Sequence, residues 1–139
     1  ENCVASAIKP TSGAPYEVTG FVLGPGQGNV ARGCVAVGVQ GDDSSTPGFG
    51  WRGDTFEAYP WVFEDCLSHD NYGSGLYFWV NGVPHSYVDR YTSYHDGHGI
   101  HAGAYTNLVS YRDCTVYACA ENGLTIEAVP GVADPPTTG

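Results

Sequence analysis

The chain has 139 residues, 42% of them apolar and 13% aromatic, which is enough for one domain with a core of its own. Fifteen acidic residues against five Lys and Arg give a net charge of −10. Such a chain repels phosphate backbones and anionic membrane surfaces, so nucleic acid is excluded as a partner, and no apolar run is long enough to insert into a membrane.

Five cysteines, no Met and Glu1 as first residue predict a processed, secreted, extracellular chain. No pair of cysteines has the C-x2-C spacing of a structural zinc site, so disulfides are expected among Cys34, Cys66, Cys114 and Cys119. Their connectivity stays open. If Cys3, on a Pro/Ser/Gly-rich arm over residues 1–14, is the odd cysteine, it is free to join two chains in a homodimer.

In chain order, residues 15–23 alternate (Tyr16, Val18, Phe21, Leu23) and predict a first strand. Gly24, Gly26 and Gly28 form a turn cluster without dinucleotide-binding spacing. Residues 30–40, with the apolar run Cys34-Val35-Ala36-Val37, predict a second strand, and 41–50 a polar loop. Residues 56–64 predict a third strand rich in aromatics (Phe56, Tyr59, Trp61, Phe63). Residues 76–80 and 83–91 then form a hairpin about Asn81-Gly82, the dipeptide favoured in type I′ turns. A last pair, 107–120 and 124–129, turns at Asn122-Gly123, and the Pro-containing segment 130–139 reads as a disordered tail beyond a single all-β domain, 1–129. No helical periodicity occurs. The expected fold is an antiparallel β-sandwich or small β-barrel of about seven or eight strands, stabilised by disulfides.

Chemistry is concentrated after the hairpin. Tyr94-His95-Asp96-Gly97-His98-Gly99-Ile100-His101 brings three imidazoles into one predicted loop. His95, His98 and His101 are candidate ligands of a metal ion, and Asp96 could orient a ring or join the set. No other cofactor is expected. An acid–base role would need a histidine beside a carboxylate, for which Glu64, Asp70 and Asp89 are candidates. Trp79, Tyr91, Tyr94 and Tyr105 lie near the same loop and could form an aromatic face for a sugar. Arg52-Gly53-Asp54 is a tripeptide too short to carry a function, and no Gly-x-Ser-x-Gly nucleophile motif is present.

Several features resemble the family of small secreted fungal proteins that includes the major Alternaria allergen and related protein elicitors. They are Cys3 near the start, the strand Tyr16-Glu17-Val18-Thr19-Gly20-Phe21, Trp61 ahead of Cys66, and Cys119 leading into Leu124-Thr125-Ile126. The resemblance implies a β-barrel or sandwich dimer perceived by a host, with no catalytic residues. The sequence is accordingly read as a secreted binding protein of elicitor, effector or allergen type, rather than an enzyme, acting on a host or extracellular protein or glycan. Its alternatives are a carbohydrate-binding module and an enzyme centred on the histidine loop.

Overall fold

The computed structural model describes residues 1–9, 17–24, 28–41, 48–54, 60–80, 86–103 and 109–126. One short pattern recurs in it: Cys3-Val4-Ala5-Ser6, Cys34-Val35-Ala36-Val37, Cys66-Leu67-Ser68-His69, Tyr91-Thr92-Ser93-Tyr94 and Cys114-Thr115-Val116-Tyr117. A second recurs between its copies, a glycine followed by apolar residues at alternate positions: Gly20-Phe21, Gly50-Trp51, Gly75-Leu76, Gly99-Ile100 and Gly123-Leu124. Each copy can bury its inward side chains only against the next, which is the condition for a solenoid.

The described residues form the strands β1 (Val4–Ser6), β2 (Val18–Leu23), β3 (Asn29–Arg32), β4 (Val35–Val37), β5 (Gly48–Asp54), β6 (Trp61–Glu64) and β7 (Leu67–His69). They continue with β8 (Ser74–Val80), β9 (Tyr87–Asp89), β10 (Thr92–Tyr94), β11 (His98–Ala102), β12 (Ser110–Arg112), β13 (Thr115–Tyr117) and β14 (Leu124–Ile126). Every third strand stacks on the last. The first sheet runs β1-β4-β7-β10-β13, the second β14-β11-β8-β5-β2 and the third β12-β9-β6-β3, all pairs parallel. The fold is a parallel β-helix with three sheets per coil. Successive coils advance 31, 32, 25 and 23 residues (35 − 4, 67 − 35, 92 − 67, 115 − 92) at the stacked positions Val4, Val35, Leu67, Thr92 and Thr115.

Two corners of each coil are built from residues in the left-handed region. Between the third and first sheets these are Asn2, Gly33, Asp65, Arg90 and Asp113, with φ of 52, 61, 53, 50 and 48°. Between the first and second sheets they are Ala7, Gly38, Asp70, His95 and Ala118, with φ of 52, 65, 57, 54 and 53°. Asn, Asp and His tolerate this conformation best, whereas Ala and Arg adopt it at a cost of about 1–2 kcal/mol. Hydrogen bonds between coils hold the corners, for instance Asp65 N–H to Asp89 O at 3.1 Å and Arg90 N–H to Arg112 O at 3.0 Å.

Inside, Trp51, Leu76 and Ile100 stack from β5, β8 and β11, facing Phe63 and Val88 from β6 and β9. Trp61 lies parallel to Phe78 with ring centroids 5.3 Å apart, and a Cβ on Gly53 would meet both at 2.8–2.9 Å. Large side chains in one coil thus require glycine in the neighbouring position, and together they fill the helix bore.

Three expectations are corrected. The strands do not form an antiparallel sandwich or barrel: neighbours in sequence sit in different sheets, and partners lie a full coil apart. The Asn122-Gly123 pair leads into β14, which pairs parallel with β11 and makes no hairpin. No disulfide exists either, since Cys3, Cys34, Cys66, Cys114 and Cys119 are all free thiols. Cys34, Cys66 and Cys114 occupy the same step of the second, third and fifth coils, with Tyr91 at that step of the fourth, and each thiol serves as a small apolar group. Each Sγ–H donates to the carbonyl two residues back, at 3.2, 3.3 and 3.3 Å. Burial raises the thiol pKa values of Cys66, Cys114 and Cys119. The Asn81-Gly82 turn and the tail over 130–139 fall outside the described residues. None of the described residues forms a helix.

Candidate functional site

The corner between the first and second sheets carries an open pocket of about 540 Å³ that reaches from the second coil to the fifth. Its position follows from the glycine at each bend. A Cβ on Gly75 or Gly99 would point inside the helix, as do the side chains of Leu76 and Ile100 that follow. Two successive inward positions break the alternation of the strand. His98 and His101, which straddle Gly99 and Ile100, therefore both face outward, with ring centroids 5.3 Å apart.

The pocket wall is a row of rings. His101 is in register with Tyr77 and makes an edge contact with it at 5.0 Å, and Tyr77 stacks on Phe49 at 4.5 Å. Tyr72, half exposed, stands at the rim. His98 Nε2 lies 3.1 Å from Glu121 Oε2, whose side chain is 65% exposed at the opposite rim. His98 Nδ1 is buried and finds no hydrogen-bond partner among the described residues.

The floor is a buried polar network centred on Asp96, which is fully buried. Its Oδ2 accepts from the hydroxyls of Ser68 and Ser93, each at 2.6 Å. Its Oδ1 accepts from Asn71 N–H at 2.9 Å and Asn71 Nδ2 at 2.8 Å. Tyr91 O–H donates to Ser68 Oγ at 2.7 Å, so the buried phenol orients the serine toward the carboxylate. Burial raises the Asp96 carboxyl above the usual range, although its hydrogen bonds pull the other way. The backbone continues the network: Gly97 N–H donates to Gly73 O at 2.7 Å and Glu121 N–H to Gly97 O at 2.8 Å. Three coils are tied into one rigid floor.

Beside the pocket, on the outer face of the first sheet, His69, Tyr94 and Tyr117 stack along the helix axis at 4.8 and 5.2 Å. Asp70 bridges two imidazoles, with Oδ2 2.7 Å from His69 Nδ1 and Oδ1 3.4 Å from His95 Nδ1. These contacts, led by the His69 hydrogen bond, lower the Asp70 carboxyl below its ordinary value.

The structure thus rearranges the candidates read from sequence. All three histidines line the pocket, His98 and His101 from strand β11 rather than a loop and His95 from the corner, where its Nδ1 lies 3.4 Å from Asp70 Oδ1. Among the described residues, no group of three His, Cys, Asp or Glu is placed to hold a metal ion. Asp96 faces inward, its carboxylate held by Ser68, Ser93 and Asn71. Tyr91 is fully buried in the core and Tyr94 belongs to the neighbouring ring stack, whereas Tyr105 and the Trp79 side chain lie outside what is described. Of the carboxylates, Asp70 meets histidines, whereas Glu64 binds Arg32 and Tyr87, and Asp89 binds Arg90. Arg52-Gly53-Asp54 lies on β5 with Arg52 paired to Glu17. Sequence reasoning missed Glu121, Tyr72 and Tyr77, which only the coil register brings beside the histidines.

Comparison with protein-family models, curated proteins and solved structures gave no match.

Proposed function

We propose that the protein is a non-enzymatic carbohydrate-binding protein whose ligand occupies the pocket at this corner. The observation that carries this reading is the ring-lined wall of Tyr72, Tyr77 and His101 above a floor immobilised by the Asp96 network. A saccharide offers apolar C–H faces that pack on rings and hydroxyls that pair with fixed polar groups. Such sites gain affinity when the wall is preorganised. The elicitor reading stands on sequence resemblance alone, and the fold adds nothing to it.

A binding role fits His98 better than acid–base chemistry does. One of its nitrogens faces Glu121 and the other is buried, so neither is presented to a substrate.

The test is a glycan array followed by calorimetry on the retained oligosaccharide. Tyr72 is exposed, so Tyr72→Ala is expected to leave the melting temperature unchanged and weaken binding at least tenfold. An intact protein that retains no glycan would refute the proposal, as would a ligand whose affinity ignores Tyr72→Ala and His101→Ala alike.

A further inference from the structure

We infer that the pocket selects a saccharide bearing a free ammonium, such as a glucosamine oligomer, over neutral or acidic sugars; this rests on the carbohydrate-binding reading above. Apart from its histidines, the ionisable side chains at the pocket are carboxylates and phenols. Neither Lys nor Arg lines it. Arg52, in register with Tyr77 on the same face, is held by Glu17. Two exposed carboxylates flank the pocket: Glu121 at one rim, and Asp70 at the corner beside His95, its side chain 56% exposed. Asp70 stays ionised across the physiological range, because its histidine contacts hold the carboxyl below its ordinary value.

The wall points the same way. Aromatic faces carry negative charge density and attract ammonium groups, and they do so best when water is partly excluded. Tyr72 supplies an exposed face at the rim, and the stacked, buried pair Tyr77 and Phe49 adds its negative ring density to the wall. A uronate or sulfate would find neither Lys nor Arg in the lining and would approach a chain of net charge −10. An N-acetylated sugar would fit the wall but bring no cation to the two carboxylates, which the neutral imidazoles beside them do not neutralise.

The experiment compares three short oligosaccharides of equal length by calorimetry in buffered salt: glucosamine, N-acetylglucosamine and galacturonate oligomers. Glucosamine oligomers are expected to bind at least tenfold more tightly than the N-acetylated series, with no binding of galacturonate. Glu121→Gln is expected to reduce that preference to threefold or less. Asp113→Asn, which removes a carboxylate from the corner between the third and first sheets, is expected to leave it intact and so controls for the acidity of the whole chain.

Equal or tighter binding of the N-acetylated or uronate series would overturn the inference while leaving a carbohydrate site. So would a preference that survives Glu121→Gln, or one that falls equally with Asp113→Asn. Binding of none of the three, by a protein that an array also finds silent, would overturn the carbohydrate reading itself.

Discussion

Replacing Asp96 separates the polar floor from the rest of the core. In Asp96→Ala, Asn71 N–H and the hydroxyls of Ser68 and Ser93 lose their acceptor, while Asn71 Nδ2 keeps Ala36 O at 3.3 Å. A buried donor left unpaired costs about 1–3 kcal/mol, and hydroxyls recover part of this by rotating, so the net loss is expected to be about 3–5 kcal/mol. With a urea m-value of about 2 kcal/mol/M, the denaturation midpoint falls by about 2 M. Asp96→Asn keeps an acceptor for Asn71 and offers an amide to the two serine oxygens. It is expected to stay within about 1 kcal/mol of the parent.

The pH dependence gives a second reading of the same residue. Because burial raises its carboxyl, folded Asp96 retains a proton that the unfolded chain has released. Its contribution to stability therefore falls as pH rises from the unfolded value of about 3.9 through the raised folded one, and stays lower above it. The Asn variant lacks this slope. Urea titrations at several pH values decide the matter: an Ala variant as stable as the parent, or an Asn variant as damaged as Ala, would refute the network's role.

Other consequences can be measured directly. A Cβ at Gly75 would lie 2.3 Å from both Asp96 Oδ2 and Ser68 Oγ, so Gly75→Ala is expected to cost about 3 kcal/mol or more. A loss under about 1 kcal/mol in urea denaturation would show that the floor yields. Thiol titration in denaturant without reductant is expected to count five cysteines per chain, and a count of three or fewer would establish a disulfide that the structure does not show. Asp65, held by Arg90 at 2.6 and 3.0 Å, has its carboxyl lowered. Its stabilisation is present above the unfolded value of about 3.9 and lost as pH falls through the folded one. Arg90→Gln should therefore flatten the acid limb of the melting-temperature profile, and an unchanged limb would count against the pair.

The sequence misled about topology for a physical reason. Parallel sheets are usually covered on both faces and read as continuous apolar runs, whereas alternation marks a sheet with one wet face. A β-helix has parallel strands and one wet face, so β6 alternates buried and half-buried residues as an antiparallel strand would. The Asn-Gly pair at 122–123 then suggested a hairpin because turn chemistry is local, while pairing in this fold is not. The decisive signal was the repeated Cys/Tyr-x-small-x segment with its following glycine. It recurs at unequal intervals, which hides it from any search at a fixed period.

The sequence by itself determined that the chain is all-β, where several strands lie, and that the histidines of residues 95–101 stand together, because propensity, alternation and spacing are properties of short segments. Only the tertiary structure decided which strands pair, that the cysteines are free thiols, and that Tyr77, His98, His101 and Glu121 share a pocket. Those facts depend on the register between coils 23 to 32 residues apart (115 − 92 and 67 − 35), set by mutual packing in the bore and not by any one segment.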